Sequence, residues 1–144
     1  MKRIFIIMAM SLFVSAHAYT PKDFKLNSYD KTEDVELKEF KGKKLLINFW
    51  ATWCTSCIEE IPILHKLKES KNAKNYNFIA ISAGDSRKKI KKFIKRHKFN
   101  YKILMDKDNS LSKSWGVEAL PVTIILDEEQ KVIYEGIRPP KALP

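Results

Sequence analysis

Both cysteines of the chain lie in a single C-x-x-C motif, as Cys54 and Cys57. The motif follows the apolar run 44–51, which has the length of a buried strand, and it precedes apolar residues at helical spacing. A helix N-terminus presents unpaired N–H groups and a partial positive charge, which stabilise a thiolate. The pKa of a cysteine there falls from about 8.5 to between roughly 3.5 and 7.5. The sequence therefore predicts that Cys54, the first residue of this helix and the more exposed cysteine, is a nucleophile.

The second cysteine is positioned to complete an exchange reaction. Cys57 lies three residues after Cys54 on the same helix face, within side-chain reach. It can attack the mixed disulfide that Cys54 forms with a substrate, which releases the reduced substrate and leaves a Cys54–Cys57 bond. The predicted chemistry is thiol–disulfide exchange, and it requires no cofactor.

Other uses of a C-x-x-C motif fit this sequence less well. A zinc site needs two further ligands, and only His65 and His97 follow the N-terminal segment. Covalent haem attachment needs a histidine where Ile58 stands. A structural disulfide across two residues stabilises a fold little, because stabilisation grows with loop length. No metal site is predicted, although a Cu(I) metallochaperone remains an alternative because two thiolates suit Cu(I).

The chain as a whole is typical of one exported domain. It has 144 residues, 44% of them apolar, enough for a core of its own. Its first residues have the parts of a secretory signal, namely a basic start, the apolar run 4–14 and the small residues of Ala16-His17-Ala18. We expect residues 1–18 to be a signal peptide and residues 19–144 to form a periplasmic domain. An uncleaved anchor is the alternative, although a run of 11 residues is short for a membrane span.

Periodicity and turn residues predict the order of elements that must position the cysteines. Strands are expected at 24–28, 34–37, 44–51, 78–82, 101–105, 122–126 and 131–135, and helices from Cys54 onwards, at 87–97 and at 111–115. This order implies an α/β sandwich with parallel and antiparallel strands in one mixed sheet.

The second predicted helix is strongly basic on its outer side, and the whole chain has a net charge of +10. Such a run is most simply a solvated face. An acidic partner or an anionic lipid surface is the alternative. Nucleic acid is not an expected partner of an exported protein.

Two segments carry a resemblance to a known family. Residues 45–62 read LLINFWATWCTSCIEEIP, and residues 115–127 read WGVEALPVTIILD. The chain resembles the thioredoxin-like superfamily, and within it the exported TlpA/ResA-type thiol–disulfide oxidoreductases, which include the thioredoxins of cytochrome c maturation. The resemblance implies a thioredoxin-like sandwich with a mixed central sheet and an N-terminal β-hairpin. The family usually ends in a helix, which the three prolines of residues 137–144 argue against.

The resemblance also implies roles for single residues. Pro121 matches the family's cis-proline, which sets the backbone of Leu120 beside the cysteines for pairing with an extended substrate. Trp53 matches the tryptophan that packs beside the nucleophile. Glu60 matches a carboxylate that exchanges a proton with the second cysteine, here Cys57; a solvent-facing glutamate of the first helical turn is the alternative.

The resemblance implies a reductant of protein disulfides, with apocytochrome c as a candidate substrate and a membrane thiol protein as the electron donor. An oxidase or isomerase of secreted disulfides is the alternative within the same chemistry, since the direction depends on the reduction potential.

Overall fold

The computed structural model describes residues 19–30 and 33–144. The predicted signal peptide, residues 1–18, lies outside the described residues. None of the helices in the described ranges has both the length and the apolar character that a membrane span requires.

The described part of the chain forms one sheet of seven strands with three α-helices. The strands are β1 (Lys25–Ser28), β2 (Asp34–Glu36), β3 (Lys44–Trp50), β4 (Tyr76–Ala83), β5 (Lys102–Asp106), β6 (Val122–Leu126) and β7 (Val132–Gly136). The helices are α1 (Thr55–Lys68), α2 (Arg87–His97) and α3 (Ser110–Ser114), and 3-10 turns span Leu37–Phe40 and Lys71–Asn75. The order across the sheet is β2-β1-β5-β4-β3-β6-β7.

The sheet is mixed, and its parallel part positions the cysteines. Strands β3, β4 and β5 are parallel neighbours, whereas β1, β2, β6 and β7 pair antiparallel with their neighbours. In parallel strands the carboxyl ends meet at one edge of the sheet. The segment after β3, with Cys54, therefore lies next to the segment after β4, with Asp85.

Strand β3 contributes to a core on each face of the sheet, because successive side chains of a strand point to opposite sides. Leu46 and Trp50 lie in the apolar cluster that contains both cysteines and the buried sides of α1 and α2. Ile47 and Phe49 lie in the opposite cluster, beneath α3 and Trp115. The continuous apolar run predicted as a central strand is thus buried on both faces.

The segment after β7 covers part of one sheet face without a helix. Residues 137–144 contain no helical turn. Leu143 is buried in the cluster that contains Leu67 of α1 and Tyr76 of β4. The Lys44 ammonium donates a hydrogen bond to the Pro144 oxygen at 3.0 Å. The predictions of a mixed sheet and an N-terminal hairpin are confirmed, and residues 137–144 follow β7 as an irregular segment packed against the apolar cluster through Leu143.

Candidate active site

The two cysteines lie at the start of α1, directly after the turn that follows β3. They are joined by a disulfide bond. Cys54 is the N-cap residue rather than the first helical residue, and the Cys57 backbone N–H donates to its Sγ at 3.2 Å. Both residues are buried, with 5% and 4% of their surface exposed. The predicted greater exposure of Cys54 is therefore not seen in this oxidised state. The hydrogen bond to its sulfur is what distinguishes Cys54 from Cys57.

That hydrogen bond sets the electrostatics of the Cys54 sulfur. A thiolate at the N-cap accepts from an N–H group of the first turn and lies at the positive end of the helix dipole. The first turn of α1 contains no carboxylate that would oppose this effect. Both contributions favour the ionised sulfur when the pair is reduced.

A cleft of about 680 Å³ opens beside Trp53, the residue before Cys54. Trp53, with 70% of its surface exposed, and Leu120 both line it. Its other walls come from the end of β4, α3 and the loop before β6, and include Gly84, Asn109, Lys113, Gly116, Val117, Glu118 and Ala119. The Leu120–Pro121 peptide bond is cis. Among the described residues, Ala119 and Leu120 make no backbone–backbone hydrogen bond, so their polar groups can pair with an extended chain.

Glu60 lies inside the protein, one turn after Cys57 on α1. Only 2% of its surface is exposed, and its Oε2 has no hydrogen-bond partner within the described residues. Burial raises the pKa of this carboxyl from 4.5 to about 7, and the positive charge of Arg138 acts in the opposite direction. The structure thus places a carboxyl with a near-neutral pKa on the cysteine-bearing helix, and its role in catalysis stays a prediction.

The strand beneath the cysteines offers no competing proton carrier. Asn48 of β3 is buried, and its amide donates to the Thr123 hydroxyl at 3.3 Å. An amide does not exchange a proton near neutral pH. Among the buried carboxylates of the described chain, Glu60 is the one on the helix that carries Cys57.

Asp85 is a site residue that the sequence did not predict. Its carboxylate accepts from the Thr52 N–H at 2.7 Å, from the Thr52 hydroxyl at 2.7 Å and from the Ser82 hydroxyl at 3.0 Å. It is 2% exposed. These bonds tie the end of β4 to the turn that carries Trp53 and Cys54. The sequence did contain a signal for this residue. Asp85 follows the strand β4, and the carboxyl ends of the parallel neighbours β3 and β4 lie at the same edge of the sheet.

No side-chain cluster suitable for a metal is found in the described ranges. Nowhere in residues 19–30 and 33–144 do three or more His, Cys, Asp or Glu side chains gather as ligands. The walls of the cleft, including Asn109, Lys113 and Glu118, were likewise not predicted, because they come from segments whose proximity only the fold reveals.

The Redoxin family model matches residues 16–142 of this sequence. The chain belongs to the Redoxin family. Among curated relatives of this Redoxin, the thiol-disulfide oxidoreductase ResA of Bacillus thuringiensis is 36% identical over 101 residues, which are 70% of this chain and 58% of that protein. The chain thus matches a little over half the length of that relative.

Solved structures share the architecture of this Redoxin. The thioredoxin domain of a thiol-disulfide oxidoreductase from Bacteroides vulgatus superposes with a TM-score of 0.76 at 24% identity, covering 85% of this chain and 89% of the other. A thiol:disulfide interchange protein from Bacteroides sp. gives 0.74 at 23% identity, covering 84% and 81%. The resemblance predicted from the sequence, and the thioredoxin-like fold it implied, are confirmed.

Proposed function

We propose that this protein is a periplasmic thiol–disulfide oxidoreductase that reduces disulfide bonds in exported proteins. The observation that carries the proposal is the Cys54–Cys57 pair at the start of α1, with the Cys57 N–H donating to the Cys54 sulfur. Membership of the Redoxin family and the similarity to ResA support the same chemistry. The predicted signal at residues 1–18 supports a location where protein disulfides persist.

The reaction begins from the reduced pair. The Cys54 thiolate attacks one sulfur of the substrate disulfide, forming a mixed disulfide and releasing the other substrate sulfur as a thiolate. Cys57 then attacks the Cys54 sulfur, which breaks the mixed disulfide and frees the second substrate thiolate. Two electrons pass to the substrate, and the Cys54–Cys57 bond remains. A membrane thiol protein, as the electron donor, must reduce this bond before the next cycle.

Glu60 supplies the proton transfer that the second step needs. Cys57 is a stronger nucleophile once its thiol has lost a proton. A carboxyl whose pKa is about 7 can accept that proton near neutral pH and return it in the reverse direction. The carboxyl lies one turn from Cys57, and its Oε2 has no hydrogen-bond partner among the described residues, so this oxygen can accept the proton without breaking another bond.

The cleft beside Trp53 receives the substrate. An extended segment can pair with the polar backbone groups of Ala119 and Leu120 at the cis-proline turn, while the exposed Trp53 ring covers apolar side chains. This geometry fits an unfolded chain better than a compact domain. Apocytochrome c, an unfolded protein before haem attachment, is the candidate substrate that the sequence resemblance suggests.

Trapping of the mixed disulfide tests this proposal. A Cys57→Ala variant retains the nucleophile but cannot resolve the intermediate, so it should accumulate disulfide-linked partners that mass spectrometry identifies. The matched Cys54→Ala variant should trap few partners, although it retains one cysteine. Trapping through Cys57 alone would reverse the assigned roles. Failure of the reduced wild-type protein to reduce insulin disulfides would remove the proposed activity.

A further inference from the structure

Helix α2 presents a positively charged surface that the proposed redox chemistry does not use. Its outward residues, here called the lysine face, are all exposed: Arg87, Lys88, Lys89, Lys91, Lys92, Lys95 and Arg96. Lys88, Lys92 and Lys95 follow the spacing i, i+4 and i+7, so they form the central stripe of the lysine face. The opposite side of α2 is fixed to the core through Ile90 and Phe93.

No ion pair found among residues 19–30 and 33–144 involves this helix. The chain contains no acidic residue from Arg87 to Met105. The ion pairs between described residues are Lys25–Asp34, Lys38–Glu36 and Lys102–Glu33. Arg87, at the edge of the face, instead donates to the Asn27 and Ser28 oxygens. The lysines of the face are therefore available to an anionic surface.

The composition of the lysine face distinguishes between two kinds of anionic partner. Protein–protein interfaces have an apolar centre and are depleted in lysine. The large apolar side chains exposed in the described chain are Tyr19, Trp53, Ile63, Ile133 and Ile137, and none lies on α2. Lysine is a flexible point charge, whereas arginine suits fixed two-point recognition of a carboxylate. A face of lysines without an apolar anchor fits the diffuse negative charge of a phospholipid bilayer.

We propose that the lysine face docks on the surface of a bilayer that contains anionic phospholipids. The contact is electrostatic and reversible, because the apolar side of α2 is already buried in the core. Helix α2 begins beside the redox site, since Asp85, two residues before Arg87, binds the Thr52 turn. Docking through α2 therefore keeps the cysteine pair close to the membrane. Helix α2 packs on one face of the sheet and α3, a wall of the cleft, on the other, so the cleft is not on the side that the membrane covers.

Vesicle binding of the full chain tests the inference. Binding to phosphatidylcholine vesicles with and without phosphatidylglycerol is measured by co-sedimentation. The ratio reported is the partition coefficient for vesicles with phosphatidylglycerol divided by that for vesicles without it. Each lysine close to an anionic surface strengthens binding about fivefold. The triple variant Lys88→Gln/Lys92→Gln/Lys95→Gln should therefore lower the ratio by about 100-fold. Salt at about 0.5 M should abolish the preference of the wild type for anionic vesicles.

A matched control separates the lysine face from net charge. Lys41, Lys43 and Lys131 are exposed at the end of the sheet opposite Cys54, so the variant Lys41→Gln/Lys43→Gln/Lys131→Gln removes the same charge elsewhere. Residues 1–18 are common to all three proteins and cancel in the comparison. The control should retain the wild-type ratio within about threefold. Equal losses in both variants, or no preference of the wild type for anionic vesicles, overturn the inference.

Two further measurements complete the design. Soluble polyglutamate stands for an acidic protein, and binding to it through α2 without binding to vesicles would replace the lipid with a protein partner. Insulin reduction in solution should be the same for the wild type and both variants, because none of the altered lysines lines the cleft. Failure of lipid binding and failure of the proposed redox activity are thus distinguished.

Discussion

Glu60 links the protonation of one buried side chain to the stability of the fold. Burial raises its pKa from 4.5 to about 7, and Arg138 limits the rise. The folded protein therefore binds this proton more tightly than the unfolded chain does. The stabilising contribution is fully present below pH 4.5, and it is lost as the pH rises towards about 7 and the carboxyl ionises inside the protein.

Replacing Glu60 by glutamine should remove this pH dependence, since an amide does not titrate. In urea unfolding between about pH 5 and about pH 8, the midpoint of the wild type should fall relative to that of Glu60→Gln. In protein that retains Cys57, the rate at which the mixed disulfide with a substrate is resolved, followed after rapid mixing, should also lose its inflection near pH 7. The neighbouring Glu59 is exposed, so Glu59→Gln should follow the wild type in both measurements. If the urea midpoints of the wild type and Glu60→Gln changed equally with pH, the coupling between Glu60 protonation and stability would be contradicted.

At the scale of elements, the reactivity of Cys54 depends on how β4 positions the turn before α1. Asp85 accepts two hydrogen bonds from Thr52 and one from Ser82. The turn has no other side-chain bond to β4 among those found in the described residues. Because the Cys57 N–H must point at the Cys54 sulfur, a displaced turn weakens the stabilisation of the thiolate. We therefore predict that Asp85 is a positioning residue.

Asp85→Asn should destabilise the protein by about 1–3 kcal/mol, because an NH₂ group replaces one acceptor in a buried site. It should also slow the alkylation of reduced Cys54 by iodoacetamide severalfold at neutral pH. Asp106 is an equally buried carboxylate with three hydrogen bonds, which cap α3. Asp106→Asn should therefore cost a similar free energy of unfolding but leave the alkylation rate unchanged. Equal alkylation rates in the two variants would show that Asp85 is structural only.

The same elements show what a single sequence predicts and where it fails. Helix α2 was predicted at its observed bounds, because Ile90, Phe93 and the basic residues between them alternate with a helical period. Strand β3 was predicted because a run that is apolar at every position requires burial on both faces. The Asp85–Thr52 contact joins two strand ends 33 residues apart, and its geometry depends on the β3–β4 register. Leu143 could not be placed either, because an irregular tail has no periodicity that indicates which face it covers.

At the scale of the whole molecule, the direction of the redox reaction is a property of the folded protein. A thermodynamic cycle connects the oxidised and reduced forms in the folded and unfolded states. The difference in free energy of unfolding between the oxidised and the reduced protein therefore fixes how far the reduction potential of the folded site lies from that of the unfolded motif. For this two-electron couple, 30 mV corresponds to about 1.4 kcal/mol. Two features of the site change the relative stability of the reduced and the disulfide form in opposite directions. The start of α1 stabilises a thiolate and the reduced form, whereas the Glu60 carboxylate disfavours a second negative charge and stabilises the disulfide.

A reductant requires that the disulfide form be the more stable one when folded. The oxidised protein should therefore have a free energy of unfolding about 1–2 kcal/mol greater than the reduced protein, measured by urea unfolding at about pH 7 with and without dithiothreitol. The Cys54→Ala/Cys57→Ala variant should unfold identically in both conditions, which controls for effects of the reagent. A strongly oxidising protein has the opposite order, because its reduced form is stabilised. A more stable reduced protein would therefore assign the oxidase or isomerase direction to the same pair of cysteines.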